Sequence, residues 1–187
     1  GLGQQVGRCG PCRTCTDDDS IELFHTNRPC GPNLNAGCVV AIDVFVQNAG
    51  IFPWQLIEHT SPDDWDRVLG INLRGAFNAA RAALPVMRGQ NHGRMLFTSS
   101  ITGPHVSAPG HGHYSASKSG VNGFIRAAAL EFAGYGITVN GVEPGNILTE
   151  AIESQRGAAY IASMQAAIPL GRLGSPRDVA NAFLFLA

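Results

Sequence analysis

Apolar and polar positions fall into two regimes along this chain, with a border near residue 40. Before it no helical or strand period is sustained, and residues 20–24 make only a weak apolar patch. After it, short β-branched and aromatic runs alternate with longer stretches of helical period. Residues 42–47 (IDVFVQ) are mostly apolar, stop at Asn48-Ala49-Gly50, and predict a strand covered on both faces. Ser61-Pro62-Asp63-Asp64 has the order of a helix N-terminus, with a capping hydroxyl, a proline in the first turn and early acids. Trp65, Val68, Leu69, Leu73, Phe77 and Ala80 carry a helical period on to about Met87. Residues 93–98 (GRMLFT) predict a second strand, and 99–112 a loop of Gly, Pro and His. A helix over 114–133 sets Val121, Phe124, Ala128 and Phe132 on one side and ends at Gly134 and Gly136. Residues 137–142 predict a third strand, closed by Pro144-Gly145, and two shorter helices follow near 150–167 and 176–187.

Strands alternating with helices imply βαβ units, right-handed crossovers and a parallel sheet. The expected fold is therefore α/β: a Rossmann-like, doubly wound parallel sheet in three layers, incomplete at both ends. Two segments are expected, an irregular one over 1–40 rich in Cys, Gly and Pro, and a partial Rossmann-like domain over 41–187. Composition agrees, since 44% of residues are apolar and only 14% charged. A formal net charge of -1 argues against nucleic acid or an anionic membrane as partner. No apolar run approaches the roughly 18 residues of a membrane span, and the first residues lack a signal-peptide core. A cytoplasmic protein is expected.

Cysteine placement qualifies this only locally. All five cysteines (Cys9, Cys12, Cys15, Cys30, Cys38) precede residue 40. Cys9, Cys12 and Cys15 have a spacing that can converge on one ion, but no second Cys or His pair follows at finger-like distance, so no metal site is expected.

Tyr114 and Lys118 carry the clearest chemistry. Four residues apart on a helix, they share a face. An ammonium ~5 Å from a phenol, at an effective dielectric of ~20, favours the phenolate by ~3 kcal/mol, roughly two pKa units. That predicts a tyrosine tuned downward for proton transfer. Ser99-Ser100 closes a strand, as do Asn48-Ala49-Gly50 and Pro144-Gly145, and ligands of parallel sheets bind beyond the carboxyl ends of strands. A Ser100 hydroxyl placed there can hold a substrate oxygen against Tyr114. Three histidines in the intervening loop (His105, His111, His113) read as solvent-exposed.

Gln47-Asn48-Ala49-Gly50, Asn72 within Ile71-Asn72-Leu73, Ser99-Ser100, Tyr114-Ser115-Ala116-Ser117-Lys118 and Val139-Asn140-x-Val142-x-Pro144-Gly145 occur in one order. From about residue 42 to 187 the chain resembles the short-chain dehydrogenase/reductases. The resemblance implies hydride transfer between a nicotinamide cofactor, NAD or NADP, and a secondary alcohol or ketone. Tyr114 would be the acid/base, Lys118 would hold the nicotinamide ribose, Ser100 would position the substrate oxygen, and Asn72 would hold a water of the proton relay. Asn48, Ala49 and Gly50 would lie beside the adenosine part of the cofactor. Pro144, Gly145 and Ile147 would pass near the nicotinamide, and Thr149 would bind its amide or the phosphates. The resemblance also implies a homo-oligomer, formed through the helices over 64–87 and 114–133.

The family's glycine-rich turn, Thr-Gly-x-x-x-Gly-x-Gly after a first strand, has no counterpart in residues 1–40, nor does the residue that selects NAD or NADP. Three expectations follow. Residues 1–40 are foreign to the family's frame, residues 42–47 present an unpaired sheet edge, and cofactor binding is weak. A catalytically inactive fragment, or a binding protein on the same scaffold, is the alternative function.

Overall fold

The computed structural model describes residues 21–24, 41–155 and 157–187. The cysteine cluster lies outside them. Four strands, β1 (Ile21–Phe24), β2 (Val44–Gln47), β3 (Gly93–Thr98) and β4 (Ile137–Val142), make one sheet in the order β1-β2-β3-β4. β2, β3 and β4 pair in parallel, with Val44 opposite Arg94 and Gly93 opposite Ile137. This is the expected Rossmann-like parallel core flanked by helices.

One expectation is corrected. The edge of β2 is not unpaired: Ile21–Phe24, seen in the sequence only as a weak patch, runs antiparallel beside it with Ile21 opposite Gln47. The physical reason is the row of backbone N–H and C=O groups along β2, which any extended segment can satisfy without a strong side-chain pattern of its own.

The segment expected as one helix from 64 to 87 is three pieces. α1 (Pro62–Leu69) is capped by the Ser61 hydroxyl accepting from the Asp64 N–H. A π turn follows at Gly70–Arg74, marked by the Gly75 N–H bonding to the Gly70 carbonyl, and α2 (Gly75–Gln90) continues to an Asn91 in the left-handed region. α3 (Gly112–Phe132) starts two residues earlier than expected. The single helix expected over 150–167 is broken into α4 (Glu150–Gln155) and α5 (Ala158–Ala166), with Gly157 extended as the cap of the second. α6 (Pro176–Leu186) begins in a capping box between Ser175 and Asp178 and touches β3 and β4.

The core lies between the sheet and the α2/α3 pair. Phe45, Met95, Phe97, Ile137 and Val139 project from the strands onto Ala76, Ala79, Ala80, Ala83 and Met87 of α2 and Val121, Ala128 and Phe132 of α3. Alanines on α2 let that helix approach the sheet closely. Phe45, Phe97, Phe124 and Phe77 follow one another in edge-to-face contacts of 5.8–6.2 Å, a run of rings from the sheet to the outer groove between α2 and α3. This packing fixes α3 over the ends of β3 and β4, where the candidate chemistry lies.

Candidate active site

The carboxyl ends of β2 and β3 meet the first turns of α3. Thr98, the last residue of β3, ties two sides of the site: its hydroxyl donates to Asn48 Oδ1 at 2.7 Å, and its carbonyl accepts from Lys118 Nζ at 2.7 Å. Lys118 is 5% exposed, and that carbonyl is the one hydrogen-bond partner of its ammonium among the described residues. Burial pulls its pKa down to about 8. The ammonium stands 5.8 Å from the centre of the Tyr114 ring.

Tyr114 does not behave as the sequence argument required. Burial raises its pKa, opposed only by a hydrogen bond with the Ser100 side chain. The expected lowering by Lys118 is therefore corrected: taking a phenolate out of water outweighs the help of a nearby ammonium that is itself desolvated and turned to the Thr98 carbonyl. Ser100 is buried beside Tyr114, as expected, and its oxygen also accepts from the Thr102 N–H at 3.0 Å.

Asn72 sits inside the π turn, 1% exposed, and every polar atom of its amide is used. Oδ1 accepts from the Ile51 N–H at 2.8 Å, while Nδ2 donates to the Ile51 carbonyl at 2.9 Å and to Ser117 Oγ at 3.0 Å. Ser117 in turn donates to the Tyr114 carbonyl at 2.7 Å. Asn72 thus braces the loop after β2 against the turn that carries Tyr114. Gly50 completes the packing: a Cβ there would stand 3.2 Å from Asn72 Oδ1 and 3.6 Å from Lys118 Nζ.

The loops after β3 and β4 are laced together by the Ile101 N–H bonding to the Pro144 carbonyl at 3.2 Å, and a Cβ on Gly145 would lie 3.5 Å from Ile101 Cδ1. Ile147 and Thr149 follow outside this bonded set. Ile147 bridges to Gly174, and the Thr149 hydroxyl accepts from the Ile152 N–H at the start of α4. Ala49 offers its carbonyl to the Gln47 amide.

A family model described as enoyl-(acyl carrier protein) reductase matches residues 37–187, which contain every one of these positions. The chain belongs to the short-chain dehydrogenase/reductase family. Among curated short-chain dehydrogenase/reductases, 3-oxoacyl-(acyl-carrier-protein) reductase of Thermotoga maritima is 42% identical over 78% of this chain and 58% of its own length. The reductase of the same name from Vibrio harveyi is 37% identical over 92% of this chain and 67% of its own length, an alignment that reaches into the first forty residues. Acetoacetyl-CoA reductase of Shinella zoogloeoides is 40% identical over 78% and 60%. Two solved structures align well: 3-oxoacyl-(acyl-carrier protein) reductase of Brucella melitensis (TM-score 0.74, 35% identity, 79% of this chain and 56% of that one) and ElxO with NADP bound (0.71, 35%, 78% and 59%). The chain thus spans about three fifths of the length of most of these relatives.

Three residues that bear on this site were given no role there by the sequence. Thr98 and Ser117 act through hydrogen bonds to backbone and to Asn48 and Asn72, and their only sequence signals were a strand end and a place three residues after Tyr114. The third is His113, expected in solvent and found 1% exposed. Packing beneath the start of α3, not its polarity, decides its place. His111 is half-buried, and His105 is exposed, as expected, and pairs with Glu143 at 2.6 Å.

Proposed function

We propose that this chain carries the catalytic part of an NAD(P)-dependent oxidoreductase that reduces the 3-oxo group of an acyl thioester. The expected generic alcohol or ketone substrate narrows in this way because the named relatives act on 3-oxoacyl groups of acyl carrier protein or on acetoacetyl-CoA. The observation that carries the reading is the convergence of Ser100, Tyr114 and Lys118 at one buried strand end, braced by Asn72.

The donor set fits a nicotinamide nucleotide. Lys118 keeps two protons beyond the one given to Thr98, and with the Tyr114 hydroxyl it can serve ribose hydroxyls; Gly50 leaves room that a side chain would take. Asn48, Ala49, Pro144, Gly145, Ile147 and Thr149 would complete that side of the site. A bound reduced nicotinamide supplies the hydride. The ketone oxygen accepts hydrogen bonds from Ser100 and Tyr114, and as negative charge grows there the Tyr114 proton passes to it. Burial keeps the Tyr114 phenol protonated at neutral pH, the form a general acid needs. The Lys118 ammonium then stands near the phenolate that is left, stabilising it until solvent returns a proton.

The test is oxidation of NADPH or NADH by the chain with a 3-oxoacyl thioester, the nucleotide in excess and its binding followed by calorimetry. Turnover with 3-oxoacyl thioesters that simple ketones do not match supports the reading. Nucleotide binding without turnover on any 3-oxoacyl thioester overturns it and leaves a binding protein on this scaffold. The motif Thr-Gly-x-x-x-Gly-x-Gly does not occur in the sequence of residues 1–40, so affinity is expected to be weaker than low micromolar.

A further inference from the structure

The residue before Tyr114 has no role in the mechanism just given, yet its ring is bonded to the Tyr114 backbone. His113 is 1% exposed, and its Nδ1 accepts a hydrogen bond from the Tyr114 N–H at 2.8 Å. That N–H lies in the first turn of α3, where amides have no partner four residues back. The next one, on Ser115, is taken by the His111 carbonyl at 2.7 Å. A ring nitrogen that accepts carries no proton, so His113 is the neutral tautomer with its proton on Nε2. Nε2 is buried with no hydrogen-bond partner among the described residues, so the bond at Nδ1 is the one that adds to packing in orienting the ring.

We propose that neutral His113 is a positioning residue for Tyr114, its Nδ1 closing the first turn of α3 and thereby fixing the phenol against Ser100. The inference rests on Tyr114 being the acid. Three groups bear on His113 besides its own burial. Asp64 on α1 favours the cation, His111 opposes it, and the Tyr114 N–H itself repels a proton on Nδ1. Burial is the largest influence and holds the pKa below the ordinary histidine value. Protonation would remove the acceptor and set a positive charge at the positive end of the α3 dipole. The first turn would then lose its closure, and Tyr114 would lose its fixed distance to Ser100.

The experiment compares the wild-type chain with His113→Asn and His113→Leu. Asparagine offers a short carbonyl that bonds N–H groups at helix starts, whereas leucine fills the space and accepts nothing. Nitrogen-15 NMR of wild type should show the Nε2–H tautomer and a titration below the usual range. Carbon-13 labelling at the tyrosine Cζ reads the Tyr114 phenol without any turnover, with Tyr114→Phe identifying its signal. His113→Leu should shift that titration, and His113→Asn should leave it near wild type. In turnover, His113→Leu should lose about 10- to 100-fold in kcat with KM held within about threefold, and His113→Asn should recover most of it. A Nδ1–H tautomer, or a Tyr114 titration identical in all three proteins, overturns the proposal. Equal loss in both variants, tracking the folded fraction, reduces His113 to a packing residue and also overturns it. If no variant and no wild type turns over, the NMR outcomes still decide the role of His113, while the reductase reading fails separately.

Discussion

Burial acts on Tyr114 and Lys118 in opposite senses, raising one pKa and lowering the other, so both charged forms are disfavoured at this site. The stability consequence has a definite sign. Below pH 8 the folded chain holds a buried ammonium at a cost of about 3 kcal/mol relative to an exposed lysine. Between about 8 and the unfolded lysine value of ~10.4 the unfolded state binds more protons, so stability rises with pH across that window. From about pH 10 upward the raised Tyr114 pKa reverses the trend, because the unfolded tyrosine ionises first. Urea denaturation of wild type at pH 7, 8, 9 and 10 should show the rise, and Lys118→Met should flatten it; an equal rise in both proteins would exclude Lys118 as its source. Tyr114→Phe should reduce turnover to below a few per cent while far-ultraviolet circular dichroism and the urea midpoint stay close to wild type. Retention of much of the rate would remove Tyr114 from the acid role.

At the scale of single elements, Asn72→Ala should destabilise the fold as well as the site. It would leave the Ile51 N–H and carbonyl without their partner, at about 1–3 kcal/mol for each group that stays buried, and would free Ser117 from its brace. A urea midpoint unchanged by this substitution would show that water takes over those bonds. The elements around it differ in how far the sequence revealed them. β2, β3, β4 and α3 were legible because a strand between helix layers is a short apolar run, and α3 keeps Val121, Phe124, Ala128 and Phe132 on one side. The π turn was not, since an extra residue between Leu69 and Gly75 leaves the helical period readable on either side. β1 was nearly invisible because its pairing draws on backbone groups rather than on side-chain pattern. At the site, Tyr114 and Lys118 were picked out by type and spacing, Ser100 by its strand end and Asn72 by the family resemblance, and the structure brings them together. The direction of the Tyr114 shift was not found, because spacing gives a distance to Lys118 but not the water excluded by folding. His113 was missed for the same reason.

Across the whole molecule, the groove between α2 and α3 is the surface that the expected homo-oligomer would use. Phe77, Ala80, Leu84, Phe124, Ala127 and Phe132 line it, and Phe77 is 46% exposed. We propose a second copy of the chain as its occupant: Gly123 and Ala127 are small and exposed, allowing helices to approach closely. Sedimentation velocity at micromolar concentration should give a dimer or larger, and Ala127→Arg should shift it to monomer; a monomeric wild type would refute this face as an interface. The π turn has a different reach, because it governs how the gene can change length. Residues before it seat Val68, and residues after it seat Ala76, Ala79, Ala80, Ala83 and Met87 against the sheet. Losing one codon between positions 70 and 74 would turn one block against the other by about 100°, swinging either Val68 or the alanine stripe into water. Apart from Asn72, descendants of this sequence can therefore exchange residues there more freely than they can gain or lose one, and the length of that stretch should be a more durable mark of ancestry than its other letters.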